Sequence, residues 1–128
     1  MIELPLNIDF SGKVVVVTGA GGVLCQAMVK AFAKAGAKVA ALDLNEEAVK
    51  TVAEECKAQG YICEGYKVNV LEMKSLEAAH AQILEDFGPC DILVNGAGGN
   101  HPSATTDNEY HHEAKEGQKR FFDLDMDG

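Results

Sequence analysis

Basic residues are scarce in this sequence: 11 Lys and Arg stand against 20 Asp and Glu, a formal net charge of -9 at pH 7. A surface for a nucleic-acid backbone needs clustered cations, so that class of partner is excluded, while a small anion held by backbone amides is not. Long apolar runs are also missing. No stretch approaches the ~18 residues of a membrane-spanning helix, and Met1-Ile2-Glu3-Leu4-Pro5 lacks the basic head and apolar centre of a secretory signal, which makes a cytoplasmic protein the expectation. The four cysteines, Cys25, Cys56, Cys63 and Cys90, contain no Cys-x-x-Cys pair and fit neither a zinc site nor a disulfide framework. Buried free thiols are expected. Cys25 stands apart, because a helix N-terminus lowers a thiol pKa and makes it more reactive.

What is present starts from Val14-Val15-Val16-Val17-Thr18-Gly19-Ala20-Gly21-Gly22. Four consecutive β-branched residues without polar alternation suit a strand buried on both faces, and the small residues after them permit a tight turn. A helix follows, with Ala27, Met28, Ala31, Phe32 and Ala35 expected on its apolar side and Lys30 and Lys34 opposite. Strand, glycine turn and helix N-terminus make an anion site, since glycines let a phosphate approach the backbone and the first helical N–H groups point at it. A tight turn that binds nothing has the same composition.

With 128 residues and 47% hydrophobic content the chain is sized for one globular domain. Residues 1–12 read as a lead-in. A second strand over 38–44 ends near Asp43; Asn45 then caps a helix through Ala48, Val49, Val52, Ala53 and Cys56, with Glu46 and Glu47 where the helix dipole favours acids. A third strand over 64–70 precedes a helix over 74–87, whose stripe is Leu76, Ala79, Ile83, Leu84 and Phe87, with His80 beside it as a structural residue. A fourth strand over 91–95 runs into Gly96-Ala97-Gly98-Gly99. Strands alternating with helices of this length imply right-handed crossovers and a parallel sheet, so the expected fold is α/β, a Rossmann-type doubly wound sheet of four strands in order 3-2-1-4 with three helices.

In such a sheet the ligand lies beyond the carboxyl ends of the strands, where the winding reverses. That rim gathers Thr18, Gly19, Gly21, Gly22, Val23, Leu24, Asp43, Asn69, Val70, Asn95, Gly96, Ala97 and Gly98 as candidate cofactor-binding residues. Asp43 stands at the end of the second strand, at the separation from the glycine turn where an acid reaches adenosine ribose hydroxyls. Its carboxylate accepts from a 2′-OH and repels a 2′-phosphate, which favours NAD over NADP; capping the next helix is its alternative role. The Asn69 amide suits an adenine edge or, equally, a turn. Asn95 to Gly98 lets the backbone approach the nicotinamide ribose, unless it simply ends the strand.

These pieces resemble the short-chain dehydrogenases/reductases over about residues 10–99. The resemblance is carried by Thr18-Gly19 with Ala27, by Asp43, by Asn69-Val70, and by Asp91-Ile92-Leu93-Val94-Asn95-Gly96-Ala97-Gly98 in place of the family's DILVNNAG. Within the family, Gly21-Gly22-Val23-Leu24-Cys25 and Phe121-Phe122-Asp123-Leu124-Asp125 look like the D-mannonate oxidoreductase or fructuronate reductase branch. The resemblance implies NAD as cofactor, reversible hydride transfer on a sugar acid, and a homo-oligomer. Two departures stand out: the family pattern TGxxxGxG has glycine where this chain has Val23 and Cys25, and Asn69 stands in place of the usual Asp.

The family's catalytic Tyr-x-x-x-Lys is absent, since Tyr61, Tyr66 and Tyr110 are followed four residues later by Gly65, Val70 and Ala114. No catalytic residue is therefore assigned. Residues 1–99 read as an NAD-binding half and 100–128 as a polar loop or insertion leading toward a missing C-terminal half. The chain alone is expected to be inactive, and the fourth strand to leave an apolar edge that further strands, from the same or another polypeptide, complete. A non-catalytic dinucleotide-binding module is the competing expectation. In the tail, Lys115, Lys119 and Arg120 suit a substrate carboxylate, and His101, His111 and His112 with Asp107, Glu109 and Glu113 offer only an adventitious metal site; a solvated loop is the favoured expectation over both.

Overall fold

Four parallel strands form the centre of the molecule, described over residues 8–98 in a computed structural model; all but the last of these residues belong to one compact unit, Met1–Ala97. Their order is 3-2-1-4, as the alternation of strands and helices implies. The elements run β1 (Val14–Thr18), α1 (Val23–Lys34), β2 (Lys38–Asp43), α2 (Glu46–Ala58), β3 (Ile62–Lys67), α3 (Met73–Asp86) and β4 (Ile92–Asn95). The register aligns Thr18 with Leu42 on one side and Asn95 on the other, so the ends of β1, β2 and β4 share one rim.

The sheet has two covered faces. Val15, Val17, Val39, Ala41 and Cys63 pack with Val29 and Ala33 of α1 and Val49, Val52, Ala53 and Cys56 of α2. On the other face Val14, Val16, Ala40, Leu42 and Val68 meet Ala79 and Ile83 of α3. Burial on both sides is why β1 is apolar at each position from Val14 to Val17. Leu93 of β4 is 56% exposed on its face of the sheet, and Ile92 and Val94 are only half-buried. Among the described residues β4 pairs with β1 alone, which leaves its outer edge as the apolar border expected from the sequence.

Some bounds and buried faces differ from the sequence expectation. The α1 helix begins at Val23, directly after Gly22, and its buried face is Cys25, Val29 and Ala33. Ala27, expected inside, is exposed; Met28 and Ala31 are half-buried. Alanines and a methionine spread around this helix, so apolar character does not mark a face, and the phase is set instead by where the turn starts the helix. Strand β3 begins and ends earlier than 64–70, because its pairing with β2 starts at Lys38 with Ile62 and finishes at Asp43 with Lys67. In α3, Leu84 is exposed while Ala79 and Ile83 carry the contact. Cys90 is likewise exposed, whereas Cys25, Cys56 and Cys63 are buried as free thiols. No helix among the described residues is long and apolar enough to cross a membrane.

Cys56 and Cys63 interact through their thiols in the core between α2 and β3. The neighbouring thiol and burial push Cys63 well above its ordinary value of 9.0. The sign follows: the unfolded chain loses this proton first, so the contribution is fully present below about pH 9 and declines as pH rises toward the folded value. Burial and Asp86 raise the Tyr66 phenol in the same sense. Cys56, lowered by the same thiol contact, works in the opposite sense only up to about pH 9; above that the unfolding free energy is expected to fall, by at most about 1.4 kcal/mol per pH unit per proton, and the urea midpoint with it. Cys63→Ala reduces that slope, and a wild-type midpoint unchanged from pH 7 to 10.5 contradicts the assignment.

Candidate functional site

The end of β1 holds the site together. Thr18 is 7% exposed, and its Oγ1 accepts from the N–H of Gly96 at 3.0 Å and of Ala97 at 3.1 Å. One hydroxyl thereby fixes the loop after β4 against the loop after β1. Gly19 follows with φ at +67°, and a Cβ there would lie 2.6 Å from the Gly96 carbonyl oxygen. Both the dihedral and the space require glycine. Ala20 N–H then donates to the Leu42 carbonyl, and Gly22 N–H to Gly19, closing the turn.

The turn is tied to β2 as well as to β4. Gly21 N–H donates to Asp43 Oδ2 at 2.9 Å, and Asn45 N–H donates to the other oxygen, Oδ1, at 2.9 Å. Asp43 is half-buried, and the carboxylate faces the glycine turn with acceptor capacity beyond these two bonds. The helix-capping alternative for it does not hold, because the Asn45 side chain itself caps α2 by accepting from Ala48 N–H at 3.1 Å. A Cβ on Gly21 would meet Asp43 Oδ2 and the Ala48 Cβ, both at 2.9 Å.

The α1 N-terminus has no side-chain cap and no acid in its first turn. Its leading N–H groups have no intrahelical acceptors and carry the positive end of the helix dipole. The side chains of Val23 and Leu24 are 92% and 69% exposed, so an anion approaching these amides meets no side-chain charge of like sign from the turn. Gln26 was not singled out from sequence, yet its Nε2 donates to the Gly21 carbonyl at 2.9 Å and orients the turn from within the helix. Glutamine one turn into a helix after a glycine segment is its only signal.

Asn69 and Val70 lie past the end of β3. Val68 N–H donates to the Asp43 carbonyl, bringing this segment beside Asp43. The Asn69 Oδ1 accepts from Leu71 N–H at 3.0 Å, and its own N–H donates to Ser75 Oγ at 2.9 Å. The turn-forming role is therefore occupied, and toward an external group Asn69 offers its side-chain NH2 and a second lone pair. Asn95 ends β4 exposed, and Gly96 and Ala97 continue over Thr18. Asp91, quoted only as part of a motif, joins β4 to β1: its Oδ2 accepts from Val14 N–H at 2.9 Å. The candidate ligands of the tail, His101, Asp107, Glu109, His111, His112 and Glu113 with Lys115, Lys119 and Arg120, lie outside the described residues.

Residues 13–127 match the family model of the short chain dehydrogenases. An uncharacterised oxidoreductase of Haemophilus influenzae is 47% identical over 128 residues, covering 99% of this chain and 45% of its own length. An uncharacterised oxidoreductase of Bacillus subtilis, UxuB, is 46% identical over 125 residues, 98% of this chain and again 45% of the relative. Among solved structures, a protein from Haemophilus influenza provisionally assigned as a D-mannonate oxidoreductase, and holding NAD, superposes with a TM-score of 0.76. It is 49% identical, over 95% of this chain and 44% of that one. The chain thus spans about half the length of the curated relatives it matches.

Proposed function

The chain belongs to the short chain dehydrogenase family, and from that premise we propose that its rim binds NAD and serves an oxidoreductase acting on a sugar acid, interconverting D-mannonate and fructuronate. Residues 1–99 then form the cofactor-binding half. The observation that carries this reading is the pairing of an uncapped, uncharged α1 N-terminus with a carboxylate on the neighbouring strand end, joined by the bond from Gly21 N–H to Asp43 Oδ2. An anionic diphosphate and an uncharged ribose side by side need that combination.

NAD supplies the hydride acceptor when bound. The residues of this chain bind and orient it. The amides of Val23 and Leu24 at the start of α1 receive the diphosphate, and Thr18 with Gly19 fixes the height of the turn. Asp43 accepts from the adenosine ribose hydroxyls and disfavours a 2′-phosphate. The segment at Asn69 and Val70 lies on the adenine side. Asn95, Gly96, Ala97 and Gly98 flank the nicotinamide ribose, where small residues keep the approach open. The NAD bound by the similar Haemophilus protein supports the cofactor, and that protein's assignment supports the substrate.

Calorimetric titration of the full-length protein is expected to give micromolar NAD binding and much weaker NADP binding. Absorbance at 340 nm is expected to rise with NAD and D-mannonate and to fall with NADH and fructuronate. NAD binding without turnover on either sugar acid sinks the substrate and leaves the cofactor. No heat from either dinucleotide sinks both.

A further inference from the structure

We propose that Cys25 and Gly96 are an interlocked pair of positioning residues that sets the spacing between the diphosphate end and the nicotinamide-ribose end of the dinucleotide site, a role that rests on the cofactor reading above. Cys25 is the third residue of α1 and only 8% exposed, its thiol turned inward against the loop after β4. A Cβ on Gly96 would run into Cys25 Sγ and would lie 2.7 Å from the Thr18 carbonyl oxygen. Gly96 has no left-handed φ, unlike Gly19, so its missing side chain answers to space rather than to backbone conformation. The thiol fills that space.

The two residues are also the places where this chain leaves the patterns it otherwise resembles. TGxxxGxG carries glycine where Cys25 stands, and DILVNNAG carries asparagine where Gly96 stands. Each departure is a change of volume, one larger and one smaller, and the fold brings them into contact. A close-packed contact of this kind has little tolerance for one extra side chain. Its position gives it a functional consequence. Cys25 belongs to the turn of α1 whose amides receive the diphosphate, while Gly96 donates its N–H to Thr18 and leads into Ala97 and Gly98. Pushing the two apart displaces one end of the dinucleotide site relative to the other, while Asp43 and Gly21, on the far side of the turn, keep their bond.

A double-mutant cycle on the full-length protein tests the pair, with Cys25→Gly, Gly96→Asn and the combination. Binding is read with NADH by fluorescence and with AMP, which reaches only the adenosine end. Gly96→Asn is expected to weaken NADH at least tenfold, with AMP within threefold of wild type. Cys25→Gly alone empties that space without filling it and is expected to weaken NADH three- to tenfold, with AMP within threefold of wild type. The double variant returns NADH to within threefold of wild type, because the asparagine then occupies the space the thiol leaves. If Gly96→Asn does not fold, a double variant that folds and binds NADH gives the same support. The pair is overturned if the double variant binds NADH no better than Gly96→Asn, if it fails to fold, or if AMP and NADH are lost in parallel. Wild-type protein that binds AMP and not NADH overturns the dinucleotide reading itself, and the proposal with it.

Discussion

Gly19→Ala abolishes measurable NADH binding, an expected loss of more than 100-fold, and lowers the thermal midpoint by several degrees. The new methyl group has nowhere to go. At the observed backbone it lies 2.6 Å from the Gly96 oxygen, 2.7 Å from its carbonyl carbon and 2.8 Å from the Ala97 nitrogen, all backbone atoms that no rotamer change can move. The residue is also in the left-handed region, where alanine costs about 1 kcal/mol relative to glycine. Relief requires the loop after β4 to lift away from β1. That breaks the two N–H bonds to Thr18 Oγ1, worth about 1 kcal/mol each, and leaves a 7% exposed hydroxyl short of partners. Gly60→Ala is the matched control: φ there is +83°, and nothing lies within 4 Å. It carries the dihedral cost without the collision, so it lowers stability slightly and leaves NADH affinity alone. Fluorescence titration of both variants reads the difference, and a Gly19→Ala protein that binds NADH within threefold of wild type refutes the account.

The four strands, their order and the Asn45 cap were legible because each follows from local chemistry: β-branched runs alternating with helical stripes, and an Asn placed just before such a stripe. The rim could be gathered from sequence because topology alone brings strand ends together. What local pattern could not reveal was phase and contact. The buried face of α1 depends on the turn that starts the helix at Val23, and Ala27 and Met28 are too small or too adaptable to announce a side. The end of β3 depends on β2, since the ladder stops where its partner strand stops, at Asp43. Gln26 on the Gly21 carbonyl, Thr18 on the loop after β4, and the Cys25 thiol beside Gly96 join residues whose relation exists only in the folded chain. Asn69 shows the converse. Its two possible roles, turn and adenine contact, were equal from sequence, and the bond from Leu71 N–H assigns the first without occupying its NH2 group.

Asp43→Ala is the second substitution with a large expected effect, and its two jobs separate by comparing cofactors. The carboxylate receives Gly21 N–H and Asn45 N–H, so its removal loosens the glycine turn and the α2 cap region for any dinucleotide. That part of the loss is common to NAD and NADP. The second part is specific. Bonds from ribose hydroxyls to a carboxylate contribute about 1.5 to 3 kcal/mol, and only NAD presents both hydroxyls unmodified. NADP instead gains from removal of a negative charge facing its 2′-phosphate, which offsets its share of the common loss. NAD affinity is thus expected to fall about 100-fold, with NADP changed by less than about fivefold. Asp43→Asn sharpens the separation, since its amide keeps one acceptor oxygen for the Gly21 or Asn45 N–H while losing the charge. The common loss then shrinks, and the shift in the ratio of the two affinities persists. Titrating both variants with both cofactors yields the ratio directly; equal losses for NAD and NADP in both would assign Asp43 to holding the turn and nothing more.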